Sequence, residues 1–73
     1  MGPEKRAIRN LSLHLRERRL KKGWSQDELA YRVGSDRTYI SDMERGLRNP
    51  SLKTLARLAH TLGASIGDLC DSQ

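Results

Sequence analysis

The segment Ser25–Gly46, SQDELAYRVGSDRTYISDMERG, constrains the fold more than any other stretch, because it encodes two short helices joined at one glycine. Ser25 reads as an N-cap. Its hydroxyl is placed to accept from the Glu28 amide while the Glu28 carboxylate reaches back to the Ser25 amide, a reciprocal capping box. Trp24, just before the cap, is placed to pack on Leu29 as a hydrophobic staple. Leu29, Ala30 and Val33 then share one face, a stripe too narrow to hold a helix by itself, so this helix must dock on others. Gly34 falls where the chain has to reverse and can take left-handed backbone without a Cβ clash. Asp36 is the next N-cap. At 100° per residue from Arg37, Ile40 and Met43 point inward and Thr38, Ser41, Asp42 and Arg45 point outward, with Arg37 and Tyr39 flanking them. Gly46 closes the helix as a left-handed cap.

The remaining helices follow from their punctuation. The first is expected to begin between Glu4 and Ile8 and to run to Lys22, with Ile8, Leu11 and Leu15 on one stripe and Gly23 as the stop. Its Arg16, Arg18, Arg19, Lys21 and Lys22 gather at the C-terminal end, where they complement the helix dipole. Ahead of it, Met1–Arg6 is expected to be a flexible arm carrying Lys5 and Arg6; tracking a nucleic-acid backbone is the other role open to it. After Gly46 the loop Leu47–Pro50 leads to Ser51, an N-cap for a helix bearing Leu52, Leu55, Leu58, Ala59 and Leu62 and closed by Gly63. Ser65 and Asp68 open a short fifth helix with Ile66 and Leu69. No run alternates like a strand, and phenylalanine is absent. The expectation is an all-α chain, one compact five-helix domain over residues 1–73.

A domain of this size buries only about 60% of its unfolded surface, so a dimer contact would help it. The net charge of +5, from 14 basic and 9 acidic residues, suits a polyanion partner. No apolar run is long enough to cross a bilayer and no apolar leader segment opens the chain, which places it in the cytoplasm. Cys70 is the one cysteine, read as an ordinary helix-end residue, with intermolecular pairing as the alternative. His14 and His60 make no ligand spacing with it, and neither a phosphate loop nor a nucleophile motif is present. These features argue against an enzyme, a metal site and a bound cofactor.

The segment resembles the Cro/repressor-type (XRE-type) helix-turn-helix family of phage repressors and small bacterial regulators. The matching residues are Gln26, Leu29, Ala30, Gly34, Ile40, Ser41, Glu44, Arg45 and Gly46, followed by Asn49-Pro50-Ser51 and Leu55, and the resemblance extends over about residues 11 to 69. Ser35, in place of the usual apolar residue after the turn glycine, and Asp42, an acid on the outward face, depart from the pattern. The resemblance implies a lambda-repressor-like DNA-binding domain whose second motif helix enters the major groove of double-stranded DNA. It also implies a partly buried ion pair between Arg19 and Glu44, tying the first helix to the third. In the phage-repressor branch the C-terminal segment packs across a two-fold axis, and Ile66 and Leu69 fall on the matching positions; completing the monomer core is the other role open to them.

On that reading Arg37 is the candidate for base readout, its guanidinium fork matching guanine O6 and N7. Thr38 offers a methyl to thymine or a hydroxyl to either strand. Two roles are open to Tyr39: contact with the sugar–phosphate backbone, or cover for the core edge. Ser41 is a phosphate contact or passive. Three roles are open to Asp42, of which an ion pair orienting Arg37 or Arg45 is favoured over accepting from cytosine N4 or repelling non-cognate DNA. Gln26, at a helix N-terminus, and Arg48 and Asn49, in the loop, are the expected phosphate anchors. Arg45 faces outward too, and near its helix end it also suits the dipole.

The run Asp36–Ser41 and the short length are similar to the controller proteins of restriction-modification systems, which implies a homodimeric transcription regulator on a palindromic operator. The rivals are an antitoxin-type autorepressor that binds a toxin and a helical interaction module that does not read DNA. Asp27 and Glu28 are the acidic surface an activator would offer to RNA polymerase, and both also serve the helix dipole.

Overall fold

The computed structural model describes residues 2–71, which form five helices: α1 (Pro3–Lys21), α2 (Gln26–Val33), α3 (Arg37–Glu44), α4 (Leu52–Leu62) and α5 (Ile66–Cys70). No strand occurs among the described residues. α1 packs against α3 and α5, α2 packs against α3 and α4, and α4 meets α5. Where these faces converge, Leu11, Leu15, Leu29, Ala30, Val33, Ile40, Met43, Leu58, Ala59, Leu62 and Leu69 form one continuous core. Each helix alone offers only a narrow apolar stripe, so the five are stable together and not singly.

The caps fix the helix boundaries. Ser25, Asp36, Ser51 and Ser65 each accept, through the side chain, the amide three residues on. Only Ser65 completes a reciprocal box, its own amide donating to the Asp68 carboxylate at 3.0 Å. The box expected at Ser25 is half made: Glu28 turns along the helix instead and pairs with Arg32 at 2.8 Å, the i,i+4 geometry that a helix surface offers. At the motif turn Gly34 has φ +76°, and the Ser35 and Gly34 amides return to the Ala30 and Tyr31 carbonyls, satisfying the end of α2 and swinging the chain into α3. The same pair of bonds closes α1, α3 and α4.

Two expectations are corrected here. The arm expected over residues 1–6 is helical from Pro3 onward, while Met1 lies outside the described residues. Pro3 sits where its missing N–H costs nothing, Glu4 complements the positive end of the helix dipole, and the Asn49 amide donates to Glu4 at 3.3 Å. Leu52, expected in the apolar stripe of α4, is 71% exposed, because as the first residue of that helix it lies beyond the packed stripe. Trp24 packs against the core cluster that includes Leu29, with the Arg32 guanidinium 4.2 Å above its ring.

α1 holds α5 through a polar ladder at four-residue spacing. Asn10 donates to the Cys70 carbonyl at 3.1 Å, His14 Nδ1 to the Leu69 carbonyl at 3.0 Å, and Arg18 lies 4.0 Å from Asp68. Asn10 and His14 thereby satisfy C-terminal carbonyls of a helix too short to be stable by itself, and Arg18 adds a charge contact to its Asp68.

The Ser65 hydrogen bonds, aided by the Arg18 charge, hold the Asp68 carboxyl below its usual range. Its contribution is therefore complete above the ordinary aspartate value of about 4 and is lost as pH falls through the lower folded value. Urea melts between about pH 2 and pH 6 should show that acid limb flattened in Asp68→Ala. Gly34→Ala should cost about 1–2 kcal/mol by urea melting, from left-handed backbone alone, since nothing lies within 4 Å of the added Cβ.

Candidate nucleic-acid interface

α3 has two faces with different tasks. Ile40 and Met43, 0% and 1% exposed, fasten its inner face to the core. The Asp36 carboxylate accepts from the Tyr39 amide at 2.8 Å and fixes where the helix begins. Beyond that cap Arg37 and Thr38 are exposed, and neither side chain has a hydrogen-bond or ion-pair partner among the described residues. Ser41 and Asp42 are half-buried on the next turn, and Arg45 is exposed at the end.

Asp42 orients an arginine, but not either of the two expected. Its carboxylate lies 3.6 Å from Arg48 Nε, and the Arg48 guanidinium stacks 4.6 Å from the centre of the Tyr39 ring. Arg37 stands five residues away on the same helix, about 140° around the axis, and so cannot reach Asp42. Arg48 arrives by another route: Gly46 at φ +73° reverses the chain, and the Leu47 amide bonds the Asp42 carbonyl at 2.8 Å, folding the loop back over α3. Tyr39 covers the core edge, one of the two roles open to it, and its ring also carries Arg48.

The end of α3 is fixed by a buried network. Arg19 Nε donates to Glu44 Oε2 at 2.6 Å and Arg19 NH2 to Glu44 Oε1 at 2.9 Å, a bidentate pair whose side chains are 9% and 5% exposed. Arg19 also donates to the Trp24 carbonyl at 2.8 Å, and Gln26 Nε2 donates to Glu44 Oε1 at 3.2 Å. The Glu44 hydrogen bond, with its charge, raises the Arg19 pKa further against the opposing effect of burial. One Gln26 amide hydrogen is thus committed inside the fold, although its position at the start of α2 is as expected. Asn49 likewise turns toward Glu4.

The C-terminal segment requires a correction. Leu69 is 0% exposed within a single chain, so it has no surface left for a two-fold contact; the short α5 needs that side chain to anchor it in the core. Ile66 is half-buried and packs against the same core. The burial of Cys70, reinforced by the neighbouring Asp71 charge, pushes its thiol pKa up, away from thiolate chemistry. No cluster of His, Cys, Asp or Glu suited to a metal occurs among the described residues, and no described helix is long and apolar enough to cross a membrane. The feature that reading along the sequence missed is the Tyr39–Arg48–Asp42 stack, whose signal would have been the loop reversal at Gly46.

A bundle in which a capped, half-buried helix is presented at a tight glycine turn from its partner defines the helix-turn-helix class. Residues 15–69 match the helix-turn-helix family model, and the chain belongs to that family. A hypothetical transcription factor of Neisseria meningitidis serogroup B is 44% identical over 55 residues, 75% of this chain and 52% of that protein. The crystal structure of a hypothetical transcription factor from Neisseria superposes with a TM-score of 0.84 at 39% identity, covering 92% of this chain and 77% of that one. Control protein C.BamHI of Bacillus amyloliquefaciens is 45% identical over 51 residues, 70% of this chain and 63% of that protein. The restriction-modification controller protein C.AhdI from Aeromonas hydrophila superposes with a TM-score of 0.79 at 40% identity, over 85% of this chain and 94% of that one. The chain therefore spans between about half and two-thirds of the length of the first curated relatives it matches.

Removing one partner of the buried pair strands the other charge out of water. Glu44→Ala is expected to lose about 3–5 kcal/mol of stability in urea melts, far more than Glu28→Ala at the exposed pair with Arg32.

Proposed function

We propose that the protein is a sequence-specific DNA-binding transcription regulator that acts as a homodimer on a palindromic operator, in the manner of a restriction-modification controller. The observation that carries this reading is the start of α3, where Arg37 and Thr38 stand in solvent without partners among the described residues while the opposite face of the same helix is locked into the core. The major groove is about 12 Å wide and admits such a helix. Arg37, at its tip, reads guanine O6 and N7 through two parallel donors, and Thr38 reaches a neighbouring base or its methyl. Arg48, stacked on Tyr39 and held near Asp42, meets a phosphate with little rotamer freedom left to lose. Ser41 and the free remainder of the Gln26 and Asn49 amides add backbone contacts beside it.

The dimer is assigned to the α5 side, around the half-buried Ile66 and without Leu69. A two-fold assembly pairs two α3 helices with two half-sites about one helical turn apart, which is how a small reader gains affinity. Controller function itself is supported by the likeness to C.BamHI and C.AhdI.

The test is a titration of a duplex carrying the gene's own upstream region against wild type and Arg37→Ala, with a scrambled duplex as control and at two salt concentrations. Arg37→Ala is expected to lose about 1–3 kcal/mol on the upstream duplex and little on the scrambled one. Equal wild-type binding to both duplexes, abolished by salt and indifferent to the substitution, would contradict sequence-specific reading.

A further inference from the structure

A groove of about 450 Å³ runs between α1 and the end of α3, lined by Lys5, Ile8, Arg9 and Ser12 on one side and Arg45 and Gly46 on the other. Three of its six lining residues are cations, and none of the three joins an ion pair among the described residues. Two acids of α3 and its end are paired with other cations, Asp42 with Arg48 and Glu44 with Arg19, while Glu4 keeps its charge and accepts only the neutral Asn49 amide. The Ser12 hydroxyl is satisfied within α1, donating to the Arg9 carbonyl at 2.7 Å. The groove lining thus carries three cations and no acid, beside a half-buried apolar residue at Ile8.

Its position matters as much as its charge. Arg45 belongs to the outward face of α3, and the Asn49–Glu4 hydrogen bond joins the start of α1 to the loop that carries Arg48. Lys5 and Arg9 stand one helical turn apart, about 6 Å along the axis, a span that covers about two phosphates of one strand. An acidic strand lying on Arg48 would therefore continue onto Lys5 and Arg9.

We propose that this groove is a second seat for the DNA backbone, in which Lys5, Arg9 and Arg45 hold phosphates flanking the bases read by α3. The proposal rests on the DNA-reading function above and extends its footprint onto α1. Backbone contacts of this kind carry no sequence information, so they add affinity and salt dependence while leaving selectivity untouched.

The experiment measures binding of wild type, Lys5→Ala/Arg9→Ala and Arg37→Ala to the upstream duplex and its scrambled control across a series of salt concentrations, with circular dichroism verifying the fold. Each lost phosphate contact should reduce the slope of log K against log salt by about 0.9. The double variant is expected to lose about 1.8 from that slope, equally on both duplexes, and to keep the wild-type preference between them. An unchanged slope, with Arg37→Ala still losing selectivity, would overturn this proposal alone. Absence of wild-type binding to either duplex would overturn the DNA-reading function along with it. If a parallel titration with polyglutamate shows binding lost in the double variant while its DNA binding is unaltered, the proposal is also overturned and the groove is assigned to an acidic protein.

Discussion

The contact on which the rest of the structure depends is the bidentate pair between Arg19 and Glu44. It joins four pieces of chain at one point: the end of α1, the turn at Trp24, the start of α2 at Gln26 and the end of α3. Burying two charges is costly, and such a pair is weak evidence of net stability. What it supplies is uniqueness. The fork of Arg19 accommodates one arrangement of carboxylate and carbonyl, and among the described residues no buried side-chain polar atom is left without a partner. A slip of α3 along α1 would strand both charges, so the helix is held in one register.

That constraint holds an eight-residue helix rigid, as the proposed DNA reading by α3 requires. Its C-terminal end is pinned by Glu44, its inner face by Ile40 and Met43, and its N-terminal end by the Asp36 cap. The side chains left over are those that face solvent. Among them the loop after Gly46 adds a partly preorganised arginine, because Tyr39 offers a flat ring and Asp42 a counter-charge. In the proposed complex, binding energy gained through Arg48 would not then be spent on ordering a long, mobile side chain.

Most of this was legible in the sequence where a local rule operates. Ser25, Asp36, Ser51 and Ser65 announce helix starts because a side-chain oxygen reaches an amide three residues on, and the glycines announce ends because only left-handed backbone satisfies the last carbonyls. The inward positions Leu29, Val33, Ile40 and Met43 follow from period alone. The ion pair was available only through family resemblance, since 25 residues separate its members. What escaped reading depends on how segments return on one another. Asp42 took Arg48 because the loop folds back, Glu28 took Arg32 instead of closing its box, and the residues expected to form a loose arm are the start of α1, where Glu4 meets Asn49. Leu69 illustrates the same limit: period marks it as apolar and inward, while only the packed fold decides that the interior in question is its own.

The central claim is that the outward face of α3 is the surface that meets DNA and that the buried pair keeps it in place. The most direct measurement is a titration of ¹⁵N-labelled protein with the upstream duplex, followed by amide and arginine side-chain resonances. The largest changes are expected on Arg37, Thr38, Ser41 and Arg48, with the Arg19 Nε signal retained throughout. Changes concentrated on α5 or α4, with those of α3 unmoved, would contradict it.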